Sequence, residues 1–334
     1  MPSLLVTIDT EPDLPKRRQA SLGTLHNIPA LVTLQERLPN VRLTLLVTHS
    51  VVTDADSLRV LERLARDYDC EIGAHLHPEE TPPFVRGFPD DTSLMRLPFE
   101  ARAEKLRTLT RAISAHFPAP RSYRAGRWKL SPEDLGLLAD HGYWVDSTVT
   151  PYVSWKIEHG PDFADARPEP HRVAGGRLWE VPVTIGLNRG QRLSRAGPLR
   201  RALRVYLQLC SLELLGLPAP AKAAWDLARP IRPVWLRPTY SSAREMARLA
   251  DRVMARSPDA PLTMMFHSNE LAPGGRPFIR TQADADRIVD RIVRACRYLT
   301  ERRGAASTTL ADYVHPSPES RVPSPEGSDS GRPR

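Results

Sequence analysis

Apolar runs alternate with helix-spaced apolar stripes along the first part of the chain. Residues 3–9, 41–47 and 70–75 are short, strongly apolar runs, which predict buried strands. Between them, residues 28–38 and 54–67 repeat apolar side chains at intervals of three and four, which predicts helices. The resulting β-α-β-α-β order is typical of a parallel sheet with right-handed crossovers.

The same alternation continues toward the C-terminus with one long interruption. We predict further helices at 99–117, 131–141, 241–256 and 281–302, and further strands at 122–128, 143–147, 178–185, 262–267 and 306–310. Residues 79–98 are irregular, and a loop of that length in a compact domain is usually functional. Residues 187–238 are arginine-rich and partly helical, which predicts an insertion.

These elements predict a single α/β domain over residues 1–315 that includes the insertion. Residues 316–334 consist mainly of Pro, Ser, Gly, Glu and Arg, with almost no apolar side chain. A segment of that composition cannot bury enough apolar surface to offset its ordering entropy. We therefore expect a disordered tail.

The charge of the chain narrows the class of partner. The 334 residues have a formal net charge of +8 and a hydrophobic fraction of 41%, which is enough for a sizeable core. A basic surface favours acidic partners such as anionic glycans, lipid headgroups or phosphates. We expect no nucleic-acid partner.

Cysteine usage and the N-terminus bear on the compartment. The three cysteines, Cys70, Cys210 and Cys296, lie far apart and form no CxxC pair. Such a pattern fits a reducing compartment and predicts no disulfide framework. The chain opens directly into a predicted strand without a signal-peptide pattern, and no apolar run is long enough to cross a membrane. We therefore expect a cytoplasmic protein.

Two strand ends contain side chains that bind metals or move protons. Alternate residues of a strand point to the same side, so Asp9 and Glu11 share a face, and so do His75 and His77. Two carboxylates and two imidazoles at neighbouring strand ends would bind a divalent cation. The alternative is that the two carboxylates are simply solvated and that the histidines are a surface pair without a ligand. His267 also follows an apolar strand, and the alternative for this residue is a core histidine.

Five short motifs, in this order, resemble the polysaccharide deacetylase (NodB-homology) family, carbohydrate esterase family 4. The resemblance covers roughly residues 3–312. Its motifs are Thr7-Ile8-Asp9-Thr10-Glu11, Glu71-Ile72-Gly73-Ala74-His75, Tyr123-Arg124, Asp146-Ser147 and Phe266-His267. With the sequence His75-Leu76-His77-Pro78, the chain looks like a divergent branch of this family.

The resemblance implies a fold, a reaction and a set of roles. The fold would be an incomplete (β/α) barrel of about seven parallel strands, and the reaction metal-dependent removal of N- or O-acetyl groups from sugars. Asp9 would be the catalytic base, and His267 the acid that protonates the leaving amine. Arg124 would orient the base, although Arg127 competes for that role, and Asp146 would act behind the acid or the arginine.

Two positions depart from the family pattern. The usual second aspartate, a metal ligand, is Thr10 here, and Glu11 points to the same side as Asp9 and could replace it. The usual second histidine is Glu79 here, so that ligand is either His77 or Glu79. We therefore predict a metal site of Glu11, His75 and His77, with Zn²⁺ as the first choice and Co²⁺, Mn²⁺ or Ni²⁺ as alternatives.

The departures leave other functions open. One is a related hydrolase acting on the C–N bond of a small amide. Another is a catalytically impaired carbohydrate-binding or regulatory protein on the same fold. Trp128, Trp144 and Trp155 could stack on sugar rings, although core packing is the expected role of at least Trp144.

The insertion has two interpretations. Arginines precede or overlap an apolar helical stretch at 203–217, and these are Arg189, Arg192, Arg195, Arg200, Arg201 and Arg204. Such a segment could rest on the inner membrane surface through residues 187–217, in which case the substrate would be a lipid-linked glycan. The alternative is a lid helix packed on the barrel with solvated arginines.

Overall fold

The computed structural model describes residues 1–13, 24–84, 93–189, 197–212 and 230–316. The strands are β1 Ser3–Thr10, β2 Leu43–Val47, β3 Glu71–Leu76, β4 Ser122–Ala125, β5 Val145–Asp146, β6 His171–Val173, β7 Leu178–Glu180, β8 Ile185–Leu187, β9 Pro233–Trp235, β10 Leu262–His267 and β11 Ala306–Ser307. The helices are α1 Ala30–Arg37, α2 His49–Val52, α3 Ala55–Tyr68, α4 Phe99–Ser114, α5 Pro132–Asp140, α6 Gly197–Leu212, α7 Ala243–Arg256, α8 Gln282–Arg297 and α9 Leu310–Val314.

The main sheet confirms the predicted fold class. Its strand order is β10-β1-β2-β3-β4-β5-β7-β6, and β11 pairs separately with β1. Among the described residues, the seven strands from β10 to β7 are parallel, and only β6 runs antiparallel to its neighbour. The strands are buried almost throughout, as expected of a parallel sheet covered on both faces. The sheet is curled into an incomplete barrel.

The gap between β7 and β10 is bridged by single hydrogen bonds. The Thr184 N–H donates to the Thr263 carbonyl at 3.0 Å, and the Leu236 N–H donates to the Thr184 carbonyl at 2.8 Å. The Met265 N–H in turn donates to the Leu236 carbonyl at 3.2 Å. Residues 184 and 236 thus connect the two edges of the open sheet, one of them from the predicted insertion.

The prediction of a single strand at 178–185 was wrong, because this segment contributes to two strands, β7 and β8. β7 pairs with β5 in the main sheet, whereas β8 pairs antiparallel with β9 in a separate two-stranded sheet. Pro182 lies between them and has no N–H to donate to a ladder, so a continuous strand cannot pair through it. The antiparallel β6 and the short helix α9 were not predicted.

The extended segment predicted at 122–128 ends early. β4 stops at Ala125, and a 3₁₀ turn follows at Gly126–Trp128. Arg127 and Trp128 have φ values of 55° and 60°, in the left-handed region that side chains rarely adopt. Strain of this kind persists only where surrounding structure enforces it, and it often marks functional sites.

Several helix starts follow the expected capping chemistry. Ser131 and Asp134 form a capping box at the start of α5. Ser242 with Glu245 begins α7, and Thr281 begins α8, in the same way. α8 continues into a π-type turn at Tyr298–Arg302. These helices pack around the sheet and keep its carboxyl edge in place.

The described part of the insertion packs onto the barrel. Leu203 and Leu207 of α6 are 7% and 3% exposed and belong to a cluster with Trp128, Trp235 and Met265. This favours the lid interpretation for these residues, whereas membrane contact through 187–217 stays a prediction. No helix in the described parts of the chain is sufficiently long and apolar to cross a membrane.

Some predictions fall outside the described residues. They include the tail beyond residue 316, the middle of the irregular segment at 85–92, and residues 190–196 and 213–229 of the insertion. The boundaries of the domain at 1–315 stay a prediction, as does the cytoplasmic location.

Candidate metal and catalytic site

Parallel pairing brings the predicted site residues to one edge of the sheet. Asp9 is in register with His267 on the neighbouring strand β10, and His75 is in register with Arg124 on β4. Because these strands are parallel, their carboxyl ends meet at the same rim. Glu11 and His77 follow directly after β1 and β3, so the alternation along each strand places both pairs over that rim.

Glu11, His75 and His77 form a compact group of donor atoms. The two histidine Nε2 atoms lie 3.1 Å apart. The Glu11 Oε2 atom lies 3.2 Å from the His77 Nε2 atom and 3.7 Å from the His75 Nε2 atom. All three side chains are at least nine-tenths buried.

The spacing of these atoms fits a tetrahedral cation. Ligands bound at about 2.0–2.1 Å in tetrahedral geometry lie roughly 3.3 Å from one another. The observed separations of 3.1, 3.2 and 3.7 Å bracket that value. Two imidazole nitrogens and one carboxylate oxygen suit Zn²⁺ and its neighbours better than Mg²⁺ or Ca²⁺.

The hydrogen bonds behind the histidines turn their Nε2 atoms toward that position. His75 Nδ1 lies 3.0 Å from the Arg124 carbonyl oxygen, which can only accept, so we assign the proton to Nδ1. His77 Nδ1 lies 3.4 Å from Glu79 Oε1. An imidazole that donates through Nδ1 presents the Nε2 lone pair, as metal-binding histidines do.

The structure bears on both departures from the family pattern. The Thr10 hydroxyl donates to the Ile8 carbonyl of its own strand at 3.1 Å, whereas Glu11 reaches the two histidines. Glu79 lies behind His77, where Arg127 donates to it at 2.9 Å. Burial alone would raise the pKa of Glu79, but its hydrogen bond with His77 and the charges of His77 and Arg127 lower it to about 2. His77, and not Glu79, therefore belongs to the group of donor atoms formed with Glu11 and His75.

Asp9 lies beside this group and is held by Arg124. The Arg124 Nη1 atom donates to Asp9 Oδ1 at 2.6 Å, and the same guanidinium donates to Thr7 and Ser147. The other carboxylate oxygen, Asp9 Oδ2, is 3.8 Å from His75 Nε2. Burial would raise the pKa of Asp9, but the Arg124 charge, and then the charges of His75 and His267, lower it. Asp9 is therefore ionised at neutral pH.

His267 faces the same space from the opposite side. Its Nε2 atom is 3.7 Å from Asp9 Oδ2 and 3.9 Å from Glu11 Oε1. Burial lowers the pKa of His267, and the charge of Arg276 lowers it further, against the carboxylate of Glu11. The imidazole is thus neutral near pH 7.

Four side chains that the sequence analysis did not identify support the site. Arg237 donates to Glu270 at 2.5 Å, and both contact His267 Nδ1, at 2.9 and 3.2 Å. Arg276 and Asn269 donate to Glu11 Oε1 at 2.8 and 3.0 Å. Glu270 follows His267 by three residues at a strand end, which was an available signal. Arg237 and Arg276 had none, since arginine is abundant throughout the chain.

Asp146 is buried, and its hydrogen bonds go elsewhere than to the acid or the arginine. The Thr148 hydroxyl donates to Asp146 Oδ1 at 2.5 Å, and Asp146 is in register with Glu180 on β7, with which its carboxyl interacts. The groups within hydrogen-bond distance of His267 Nδ1 are the Arg237 guanidinium and the Glu270 carboxylate instead. Its predicted role behind the acid or the arginine stays a prediction.

The tryptophans that could stack on sugar rings lie in two different environments, Trp128 and Trp155 together and Trp144 apart from them. Trp128 is 7% exposed, stacks on Trp155 with ring centroids 6.2 Å apart, and has the Arg124 guanidinium over its ring at 5.5 Å. Trp144 packs against Arg121 and His315, as expected for a structural residue.

Comparison with known proteins gives information at the level of the fold. No protein-family model and no curated protein matches the sequence. Solved structures do match. A protein of Parabacteroides distasonis proposed to be a glycoside hydrolase/deacetylase is 15% identical with a TM-score of 0.52, over 93% of this chain and 70% of that one. The 4-alpha-glucanotransferase of Thermococcus litoralis is 10% identical with a TM-score of 0.56, over 95% of this chain and 40% of that one.

A third solved structure, a proposed polysaccharide deacetylase of Mycobacterium smegmatis, is 16% identical with a TM-score of 0.48, over 94% of this chain and 89% of that one. The shared architecture of the two structures above is the incomplete barrel of the deacetylase and glycoside hydrolase type. The resemblance to polysaccharide deacetylases is supported. At these identities the support concerns the fold, and the site has to be judged on its own geometry.

Proposed function

We propose that this protein is a metal-dependent hydrolase that removes an N- or O-linked acetyl group from a carbohydrate. The observation that supports the proposal is the convergence of the Glu11, His75 and His77 donor atoms beside Asp9 and His267. A cation site flanked by an ionised carboxylate and an imidazole is suited to the hydrolysis of an amide or ester. The carbohydrate class comes from the family resemblance and from the solved proteins that share the fold.

Glu11, His75 and His77 would hold the divalent cation, Zn²⁺ first, with Co²⁺, Mn²⁺ or Ni²⁺ as alternatives. When bound, such a cation polarises an acetyl carbonyl and lowers the pKa of water toward neutrality. The same Nε2 lone pair on His77 is available to a proton. Burial would lower the pKa of His77, but its hydrogen bonds with Glu11 and Glu79 raise it well above the usual range. Metal affinity should therefore fall as the pH falls.

The protein's own groups would move the protons. Asp9, ionised and fixed by Arg124, accepts a proton from the attacking water. His267 Nε2 lies 3.7 Å from the Asp9 oxygen that is not bound to Arg124, so that proton has a short path to the imidazole. His267 then delivers it to the leaving nitrogen or oxygen. Arg237 and Glu270 keep the imidazole in place through Nδ1.

The test combines metal content with acetate release. Purified protein should hold about one cation per chain, by elemental analysis, and should release acetate from an acetylated oligosaccharide. Chelator should abolish the release, and re-addition of zinc should restore it. The variant His75→Ala should lose both, whereas His116→Ala, at an exposed histidine, should lose neither.

Each alternative predicts a different result. Acetate release from small amides alone, without turnover of any acetylated sugar, would favour the small-amide hydrolase. Glycan binding with no hydrolysis and no bound cation would favour a carbohydrate-binding or regulatory protein. Full activity of His75→Ala would exclude the proposed site.

A further inference from the structure

An exposed aromatic ring lies close to the imidazole of His267. Tyr240 is 55% exposed. One face of its ring is covered by the Arg237 guanidinium, whose Cζ atom is 4.1 Å from the ring centroid. The same guanidinium lies 2.9 Å from His267 Nδ1. A single side chain therefore separates the Tyr240 ring from the residue to which the proposed reaction assigns the acid role.

The course of the backbone places Tyr240 at the rim that holds the site. The Leu236 carbonyl accepts a hydrogen bond from the Met265 N–H of β10 at 3.2 Å. One residue later, Arg237 reaches His267 at the carboxyl end of the same strand. The chain thus runs toward the carboxyl ends of the strands here, and Tyr240 follows three residues further on.

The Tyr240 ring is held in place on two sides. Trp235 contacts it at right angles, with ring centroids 5.5 Å apart and an angle of 89° between the planes. The Tyr240 N–H donates to the Arg237 carbonyl at 3.2 Å, and Arg237 Nε donates to the Thr239 hydroxyl at 2.9 Å, so the turn is closed on itself. A ring that is fixed before a ligand arrives loses little conformational entropy on binding. Its exposed part is a preformed apolar surface.

The chemistry of the proposed reaction puts the sugar on the same side of the site as this ring. In a deacetylation the sugar is the leaving group, and the side chain that protonates it has to lie against it. His267 has that role in the proposed function, whereas Glu11, His75 and His77 would hold the cation near the acetyl carbonyl. The sugar would therefore lie on the His267 side of the cation, where Tyr240 is exposed.

We propose that Tyr240 is a stacking platform for a pyranose ring of the substrate, and that it selects carbohydrates over small amides. The inference rests on the proposed function, because it names a specificity-determining residue of that same site. The C–H groups on one face of a pyranose form an apolar patch that packs on an aromatic ring. A small acetylated amine has no such surface. Arg237 covers one face of the Tyr240 ring and leaves the other face to the sugar.

The test measures the binding of sugars that carry no acetyl group. Fully deacetylated chitotriose and xylotriose are titrated into the zinc-loaded full-length protein by calorimetry, and the heat reports binding alone because neither sugar can be turned over. We expect Tyr240→Leu, which removes the ring but keeps an apolar side chain, to weaken the binding of at least one sugar by about tenfold. Tyr240→Phe should bind within about twofold of the wild type, because the hydroxyl is not part of the stacking face.

Kinetics separate stacking from a merely structural role of Tyr240. Loss of packing on Arg237 would disturb His267 and lower kcat for every acetylated substrate, large or small. Loss of stacking should raise KM for an acetylated oligosaccharide by about tenfold and leave kcat within about twofold of the wild type. Acetate release from N-acetylethanolamine, which has no ring to stack, should be unchanged.

Tyr313→Leu is the matched control. Tyr313 shares a groove with Asp259 and Pro261, which precede the amino end of β10, so it lies at the opposite end of the barrel. This variant should leave sugar binding unchanged. Equal affinities of the wild type and Tyr240→Leu for both sugars overturn the inference, and so does a wild type that binds neither. Folding of each variant is checked by its unfolding transition, and Tyr240→Met makes the same test if Tyr240→Leu is unstable.

The outcome is separable from that of the proposed function. Binding of the sugars that depends on Tyr240, without any acetate release, would support the platform and contradict the hydrolase. Acetate release from acetylated sugars with the same KM in Tyr240→Leu and the wild type would support the hydrolase and contradict the platform.

Discussion

The position of His77 depends on the absence of a side chain at residue 126. A Cβ added to Gly126 would lie 2.7 Å from the Leu76 carbonyl oxygen and 2.9 Å from His77 Cδ2. Both distances are shorter than van der Waals contact, so the ring or the strand end has to move. We expect Gly126→Ala to reduce zinc affinity by about 10–100-fold, the size of effect seen when the support of a ligand is lost.

Competition with a chromophoric chelator measures this affinity. Gly136→Ala is the control, since a Cβ there meets only the tip of the Arg177 side chain at 3.9 Å. It lies within helix α5, so it should stabilise the protein by about 0.5–1 kcal/mol without changing zinc affinity. Equal zinc affinities for the two variants would show that the space at residue 126 does not determine how His77 binds the cation.

The sequence predicted the positions of site residues best where the alternation of side chains along a strand determines which way each side chain points. It placed Asp9 with Glu11, and His75 with His77, and the structure brings these four side chains together with Arg124 and His267. It could not decide between His77 and Glu79, because that choice depends on the course of the loop after β3. Arg237 and Arg276 were missed because their contacts with His267 and Glu11 span 30 and 265 residues, and local sequence patterns do not encode such partners.

At the scale of elements, the strand pair β5–β7 buries two interacting carboxyl groups on neighbouring strands. Asp146 and Glu180 are in register, and burial raises the pKa of Asp146 to about 6 and that of Glu180 well above its usual range. The native state therefore holds a proton more tightly than the unfolded chain does. This stabilisation is fully present below about pH 4 and is lost as the pH rises through about 6.

The variant Asp146→Asn should weaken this pH dependence. Its amide can donate to Glu180 without a proton being shared, so the free energy of unfolding should fall less between pH 5 and pH 8. We expect a difference of roughly 1–3 kcal/mol from the wild type over that range, by urea unfolding. Asp140→Asn, at a carboxylate that is 62% exposed, should follow the wild-type curve. Parallel curves for all three proteins would mean that the pair does not share a proton.

Helix α6 is tied to the barrel by one carboxylate. Asp162 accepts hydrogen bonds from Arg204 at 2.9 Å and from Gln208, two side chains one helical turn apart. Leu203 and Leu207 pack beneath them, so loss of the carboxylate should loosen the helix without unfolding the barrel. We expect Asp162→Ala to speed amide hydrogen exchange in residues 201–208 by about tenfold or more.

The exchange rates of β1 and β10 serve as the internal reference for that experiment, because these central strands report global unfolding. The exposed pair Arg177–Asp140 supplies a matched variant, Asp140→Ala, which should leave α6 unchanged. Faster exchange throughout the chain in Asp162→Ala would indicate general destabilisation and contradict a local tie.

Element-scale prediction succeeded for long periodic segments and failed where one residue changes the backbone. Helices α3, α7 and α8 and strand β10 lie close to the bounds their apolar periods predicted. Pro182 and the turn at Gly126–Trp128 interrupt the predicted strands, and both the proline and Gly126 were visible signals of a break. β6 and α9 are too short for hydrophobic periodicity to reveal them.

At the scale of the whole molecule, the order of elements predicted a parallel α/β sheet and the family resemblance implied an incomplete barrel, but neither predicted how the edges of the sheet meet. The link through Thr184 and Leu236 joins residues far apart in sequence, and one of them lies in a segment interpreted as an insertion. That segment therefore has a part in the barrel itself through residue 236, which directly follows β9 of the separate two-stranded sheet. In parallel β/α barrels, active sites lie at the carboxyl ends of the strands, where the candidate site of this protein also lies.

Because the candidate site joins β1 to β3, metal binding should stabilise the whole barrel. A ligand that binds only the native state at a free concentration 100 times its Kd adds about 2.7 kcal/mol. For a chain of this size such a gain raises the Tm by several degrees.

We expect this shift with Zn²⁺ and none with Mg²⁺, since two of the three donors are imidazole nitrogens. The shift should diminish as the pH falls, beginning above the usual pKa range of histidine, because the hydrogen bonds with Glu11 and Glu79 hold a proton on His77 that competes with the cation. The Tm is measured by calorimetry with each cation, for the wild type, for His75→Ala and for the control variant His116→Ala. A zinc shift retained by His75→Ala would place the cation elsewhere in the protein.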